Sequence, residues 1–262
     1  MKDEPLVALL SDFGTRDWYV ATLKAVMTSR CPRARFIDIT HDIPPQDIIA
    51  GAFTLAAAVP WFPPQTVFLA IVDPGVGSER AILAACADRH FFVGPDNGLL
   101  TLSFQRAHRV RIIRLTNPRY WLSPVSRTFQ GRDIMAPVAA ALARTRTLAS
   151  LGTPVKHIAP LQLPMVRQTQ RTLHGHVVHI DAFGNLITNL PASVLSSAQS
   201  AGRVTVRYKQ RTARVVSSYA AGRAGELVAL AGSLGLVELA TPNGSAAWTF
   251  NGARGEEVAL IR

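Results

Sequence analysis

Cysteine is almost absent: two residues, Cys31 and Cys86, in a chain of 262. That excludes a disulfide framework, and their separation excludes a paired-thiolate metal site. Both are expected to be buried, reduced thiols. Long hydrophobic runs are missing too, so no segment approaches the length of a membrane span. The start Met1-Lys2-Asp3-Glu4-Pro5 does not have the pattern of a signal peptide. A soluble, cytoplasmic protein is expected, with no membrane partner. There is no internal repeat and no low-complexity tract. The histidines do not cluster, which weakens any zinc reading. Acidic residues are scarce, 17 against 28 basic ones, and the net charge of +11 is carried largely by arginine. Such an excess can signal a nucleic-acid partner. Here the arginines are scattered, as Arg106, Arg109, Arg111 and Arg114 in one stretch and Arg203, Arg207, Arg211 and Arg214 in another. Neither stretch interleaves aromatics as a single-strand binder does. The charge reads as a solvated surface, and no nucleic-acid partner is expected.

What is present is a globular composition, 48% hydrophobic and 17% charged, long enough for one large domain or two ordinary ones. The first part alternates strand and helix. Leu6–Leu10, Arg35–Ile39, Val67–Val72, 81–86, 90–93 and Val110–Leu115 read as strands. Helices are predicted over 17–30, capped by Thr15 or Asp17, over Asp47–Val59, ended by Pro60, and over Asp133–Arg144, with Pro137 in or near its first turn. Beyond residue 160 the periodicity becomes two, and seven stretches between Gly175 and Ile261 read as strands separated by Gly, Asn or Pro. The expected fold is an α/β domain over 1–165, a mostly parallel sheet flanked by helices, then a linker at 166–172 and an all-β barrel over 173–262.

Three carboxylates carry most of the functional information. Asp12 and Asp73 close apolar runs, and Asp96 follows Phe91-Phe92-Val93 by three residues. In an open α/β sheet the C-terminal ends of strands face the ligand crevice. Three acids delivered to that edge suggest a site. Each lies in a glycine-containing turn: Ser11-Asp12-Phe13-Gly14, Asp73-Pro74-Gly75-Val76-Gly77 and Gly94-Pro95-Asp96-Asn97-Gly98. A fourth such turn is Asp181-Ala182-Phe183-Gly184-Asn185. Any one of these alone is what turns require. Asp73-Pro-Gly-Val-Gly is no phosphate cradle, because it lacks the Lys-Ser/Thr ending and opens on a carboxylate. Asp12, Asp73 and Asp96 have the chemistry to hold ribose hydroxyls, to orient a water, or to bind a divalent metal for hydrolysis.

These turns occur in a fixed order with Thr40-His41-Asp42-Ile43, Arg80, Thr128-Phe129-Gln130-Gly131-Arg132-Asp133, Leu186-Ile187-Thr188-Asn189 and Gly244-Ser245-Ala246-Ala247. The order resembles that of the S-adenosylmethionine hydroxide adenosyltransferases, the water-using relatives of the bacterial fluorinase and chlorinase, and spans nearly the whole chain. The resemblance implies an α/β domain plus a barrel, and a homotrimer with each site shared between one subunit's N-terminal domain and a neighbour's C-terminal domain. It implies hydrolysis of S-adenosylmethionine to adenosine and L-methionine, with a small molecule as substrate and no cofactor or metal. The step is in-line displacement at ribose C5′. The leaving group is a neutral thioether expelled from a sulfonium, so the enzyme chiefly positions a desolvated nucleophile.

By the same resemblance Asp12 accepts hydrogen bonds from the ribose diol. Asp181 pairs with the methionine ammonium, and Ser233 contacts its carboxylate. Asn185 reads the adenine edge, Tyr219 stacks on its face or belongs to the core, and Phe183 lines the pocket. Asp73 and Arg80 match two members of an Asp-Arg-His set that holds the water, and a carboxylate paired with a guanidinium orients more than it abstracts. The chain departs at the third member, where Gln130 replaces histidine. Glutamine bonds water but does not take its proton near neutral pH. A non-catalytic binder of S-adenosylmethionine or adenosine is therefore the alternative, and His41 and His90 are possible stand-ins for the missing base. A second departure is Thr241-Pro242-Asn243, which puts Asn243 among the adenine contacts beside a proline that lacks an N–H. Leu234 stands where the halogenases carry arginine, and Asp73 where they carry tyrosine. Both favour the hydrolase branch.

Overall fold

The computed structural model describes residues 4–105, 107–195 and 204–261. Met1-Lys2-Asp3, Arg106, Arg203 and Arg262 from the stretches above lie outside the described residues. The chain divides into two compact units, Met1–Leu161 and Gln162–Arg262.

The first unit is built on a seven-stranded sheet. Its strands are β1 (Leu6–Ser11), β2 (Arg35–Thr40), β3 (Val67–Ile71), β4 (Ile82–Ala87), β5 (His90–Pro95), β6 (Val110–Leu115) and β7 (Gly152–Pro154), in the order β2-β1-β3-β5-β4-β6-β7. The pairings across β2, β1, β3 and β5 are parallel, and those from β5 through β4 and β6 to β7 are antiparallel. The sheet is therefore mixed, its parallel half being the half that carries the acids. The cause is local: β4 and β5 are joined by Asp88 and Arg89 alone, with Asp88 at φ +48°, and a hairpin this short permits only antiparallel pairing.

Helices cover both faces, which is why β3 is an unbroken buried apolar run. Val67, Leu69 and Ile71 meet α1 (Tyr19–Arg30) and α4 (Ala136–Thr145) through Leu23, Met27, Val138 and Leu142. Phe68, Ala70 and Val72 face the opposite layer, where α2 (Ile48–Ala58) and α3 (Thr101–Gln105) bring Leu55 and Phe104. Asp47 caps α2, its Oδ1 accepting from Ala50 N at 3.0 Å. Pro137 lies in the first turn of α4 as expected. The expected cap of α1 by Thr15 or Asp17 is not formed. Trp18 occupies that position in a helical conformation without a side-chain cap, and stacking on Tyr19 (4.6 Å) with an edge contact to Phe129 (5.6 Å) anchors the start instead.

The second unit is a closed ring of seven strands. β9 (Thr172–Ile180), β10 (Leu186–Pro191), β14 (Leu236–Ala240), β13 (Val228–Ala231), β12 (Arg211–Val215), β11 (Thr205–Tyr208) and β15 (Glu257–Ile261) follow one another around it, and β15 returns to β9. Six pairings are antiparallel, and β12–β13 is parallel. Alternate residues fill the interior, among them Val177, Leu186, Leu190, Tyr208, Ala229, Val237, Leu239 and Leu260. The stretch expected as a linker is partly strand. β8 (Arg167–Gln168) pairs with Leu173 and His174 of β9, covering a part of that long strand that β10 does not reach.

Candidate active site

Parallel neighbours end at the same edge, so β1, β3 and β5 deliver Asp12, Asp73 and Asp96 to one side of the sheet. The register Ser11↔Ile71 sets Asp12 beside Val72, one residue before Asp73. The three acids then take different partners. Asp12 Oδ2 accepts from Gln46 N at 2.8 Å. Asp96 Oδ1 accepts from Ala159 N at 2.7 Å, which ties the end of β5 to the last segment of the unit. Asp73 receives the Arg80 fork, Nε to Oδ1 at 2.6 Å and Nη2 to Oδ2. Among the described residues no group of three or more His, Cys, Asp or Glu side chains is placed to hold a metal ion. The three acids are thus engaged separately: Asp73 with a guanidinium, and Asp12 and Asp96 each with one backbone N–H on one oxygen.

Gln130 joins the Asp73–Arg80 pair. Arg80 Nη2 also donates to Gln130 Oε1 at 2.6 Å. A guanidinium has only donors, so the carboxamide oxygen must face it, and the Gln130 nitrogen is left to donate elsewhere. The Asp73 and Arg80 side chains are only 5% and 9% exposed, so each charge depends on the other for neutralisation. Two features bring the segments together. Gly77 sits at φ +82°, and a Cβ there would lie 2.7 Å from the Arg127 carbonyl oxygen, so only glycine lets the 73–77 turn approach the 127–130 segment. Beyond Gln130 the chain enters a π-type turn, Gly131–Met135, before continuing as α4.

An aromatic quartet braces the same edge and was not anticipated from sequence. Phe129 meets Phe13 (6.0 Å), Trp18 (5.6 Å) and Tyr19 (5.2 Å), linking the Asp12 turn to the residue before Gln130. The available signal was three aromatics within seven residues after β1. The two histidines considered as stand-ins are placed elsewhere. His41 is buried between Ser11 Oγ (2.7 Å) and Asp38 Oδ1 (3.0 Å), where it steadies the Asp12 turn. His90 begins β5, at the end of the strand away from Asp96, and burial lowers its pKa. A groove of about 460 Å³ lined by Pro5, Arg30, Cys31, Arg33, Arg144 and Arg146 also lies at the sheet edge away from the acids, since Pro5 precedes β1.

The second unit carries its own polar cluster. Asp181 closes the β9–β10 turn: Oδ1 accepts from Phe183 N and Asn185 N, both at 2.9 Å, and Oδ2 from Asn185 Nδ2 at 2.9 Å. Because a carboxylate only accepts, Asn185 turns its nitrogen inward and keeps its carbonyl oxygen as an acceptor. Phe183 is 79% exposed. Ala247 N donates to Gly184 O at 2.9 Å, which docks the turn on α5 (Ala246–Thr249). Tyr219 keeps its ring half-exposed while its hydroxyl donates to buried Glu238, a residue the sequence reading passed over. Ser233 is exposed in the β13–β14 turn, and Asn243 is exposed at φ +57° in the turn before α5. Pro242 packs over Gly222 so closely that no Cβ would fit there, and so supports the segment that carries Tyr219.

An acid-lined α/β strand edge followed by a closed barrel with an acid-anchored turn defines a two-domain class represented among solved structures. A conserved protein of Thermotoga maritima matches with a TM-score of 0.89 at 31% identity, over 98% of this chain and 100% of its own. One from Thermus thermophilus matches with a TM-score of 0.79 at 35% identity, over 98% and 100%. The models of the SAM hydroxide adenosyltransferase N-terminal and C-terminal domains match residues 7–152 and 175–259, and the chain belongs to this family. The (R)-S-adenosyl-L-methionine hydrolase of Thermus thermophilus is 39% identical over 97% of this chain and 99% of its own length. That of Salinispora tropica is 39% identical over 94% of each. A fluorinase of Actinoplanes is 25% identical over 74% of each.

Asp133 holds the far end of the Gln130 motif. Arg132 reaches both its oxygens, at 2.6 and 2.9 Å, and Ser126 N donates to Oδ2 at 2.8 Å. Burial pushes its pKa up, but the Arg132 and Ser126 bonds outweigh this and hold it below the ordinary carboxylate range. A depressed pKa contributes stability above the unfolded value of about 3.9, and that stability is lost as pH falls through the folded value. Asp133→Asn should therefore lower stability at pH 7, and denaturation across a pH series should show the deficit shrinking below about pH 4. A deficit that is constant with pH would rule out the charge as its source.

Proposed function

We propose that this chain hydrolyses S-adenosyl-L-methionine, water attacking ribose C5′ to give adenosine and L-methionine. The observation that carries this reading is the buried Asp73–Arg80–Gln130 chain of hydrogen bonds in a member of this family. Gln130 donates one N–H to a lone pair of the water, and Asp73 accepts one of its protons. The second lone pair then remains for C5′. The sulfonium leaves as a neutral thioether, so the leaving group needs no acid. The alkyl oxonium formed with the C–O bond is strongly acidic and passes its proton through the Asp73 carboxylate to solvent, so a matched base accelerates the step without being essential to it. Catalysis is positioning of a desolvated nucleophile, and no cofactor enters the reaction.

Asp12, with one oxygen on Gln46 N, offers the other to the ribose diol. The Asn185 carbonyl accepts from the adenine amine, Phe183 and the Tyr219 ring cover the base, Ser233 meets the methionine carboxylate, and Asn243 stands beside the adenine. These groups lie on the second unit, and we assign them to a neighbouring copy in a homotrimer, the assembly the family resemblance implies. Light scattering should give three times the mass of the chain.

Purified chain incubated with each sulfonium epimer should release adenosine and methionine in equal amounts; both epimers are needed because the relatives' names specify R. Tight binding without turnover would establish the non-catalytic alternative that Gln130 raises. Gln130→His should increase kcat, by up to about 100-fold if the imidazole acts as a base, and add an inflection near pH 6.5. A fall in kcat would show that the pocket is fitted to glutamine. Asp12→Ala should raise the calorimetric Kd by about tenfold or more, as loss of a charged acceptor does; an unchanged Kd would remove Asp12 from the ribose site.

A further inference from the structure

Resting on the hydrolase reading, we propose that Glu238 is a specificity-determining residue, the second carboxylate that receives the α-ammonium of the substrate's methionine end. Asp181, the acid assigned to that ammonium, is largely occupied. Three N–H donors already use three of its roughly four lone-pair sites. An ammonium presents three N–H donors in a compact head, more than Asp181 has room to receive.

Glu238 is placed to complete the set. It lies on β14 between Val237 and Leu239, which fill the barrel interior, so it points to the outer face. It is nevertheless only 6% exposed. Its cross-strand neighbours Ile187 and Leu230 are apolar. Its carboxylate accepts from Tyr219 Oη, and the negative charge of Asp181 acts on it. Burial, with the negative charge of Asp181 adding to it, holds its pKa above the ordinary range. Two acids that feel each other, one of them buried among apolar neighbours, form an environment that a cationic ligand stabilises.

The adjoining turn fixes which end of the ligand is received. Glu238 Oε2 lies 2.7 Å from where a Cβ on Gly232 would be, so glycine there lets the carboxylate sit against the Gly232–Gly235 turn. That turn is closed by Gly235 N on Gly232 O at 3.0 Å and carries Ser233, assigned to the methionine carboxylate. An α-amino acid bears both groups on one carbon, and Glu238 lies against Gly232, the residue next in sequence to Ser233.

The test is Glu238→Gln, which keeps an acceptor for Tyr219 and removes the charge. KM for S-adenosylmethionine should rise about tenfold or more, as for loss of a charged hydrogen bond, with kcat little changed. With an adenosyl dimethylsulfonium, which has the sulfonium but no amino-acid chain, the substitution should leave KM unaltered. An unchanged KM for the natural substrate, or an equal rise for both compounds, overturns the proposal. Failure of the unsubstituted chain to turn over would count against the hydrolase reading alone, and calorimetric Kd values for the two compounds would then decide the role of Glu238 by the same pattern.

Discussion

The Arg80 guanidinium is the constraint on which the candidate site depends. Its Nη2 is shared between Asp73, on the turn after β3, and Gln130, fifty residues later at the entrance to α4. A buried carboxylate without this partner would carry an uncompensated charge, a penalty of about 3–5 kcal/mol. The fork therefore fixes the turn after β3 and orients the carboxamide, its oxygen towards the guanidinium. Everything around it serves that placement. Gly77 allows the turns to touch, the Phe129 cluster braces the approach, and Asp133 holds the motif's far end.

The barrel unit works on the same plan with different chemistry. Asp181 shapes its turn by accepting three N–H groups, which leaves the Asn185 carboxamide oxygen as an acceptor. Tyr219 is held at its hydroxyl by Glu238 and supported from beyond by Pro242. The proline that looked in sequence like a lost hydrogen bond thus has a packing role. In both units a carboxylate orders the local backbone and sets which end of a neighbouring carboxamide is engaged.

Much of this was legible in the sequence, for identifiable reasons. Short apolar runs ending in Asp located β1, β3 and β5, because period and turn residues are local signals. The same signals placed the barrel strands and the Asp181 turn. What was not legible depended on contacts between distant positions. Asp96 reads like Asp12 and Asp73, yet its partner is Ala159 N, sixty-three residues away. Glu238 reads as a polar residue on the solvent side of a strand, and only the fold shows that Tyr219 covers it. The π-type turn after Gln130, the mixed sheet and the strand at Arg167–Gln168 likewise follow from packing and pairing that no local window records.

The barrel ring has an odd number of strands, and parity alone dictates part of what covers its outer face. Going once around a closed ring, strand direction must return to itself, so the number of antiparallel neighbours is even. Seven strands therefore require at least one parallel pair, and here it is β12–β13. A hairpin cannot join parallel neighbours; a crossover on the order of a dozen residues is needed. That crossover is 216–227, and it carries the short helix Tyr219–Ala221 across the outer face onto Glu238. An eighth strand closing the ring would permit a tight turn in its place, and Glu238 would lose its cover. The aromatic lid over the buried acid is in this sense a product of counting.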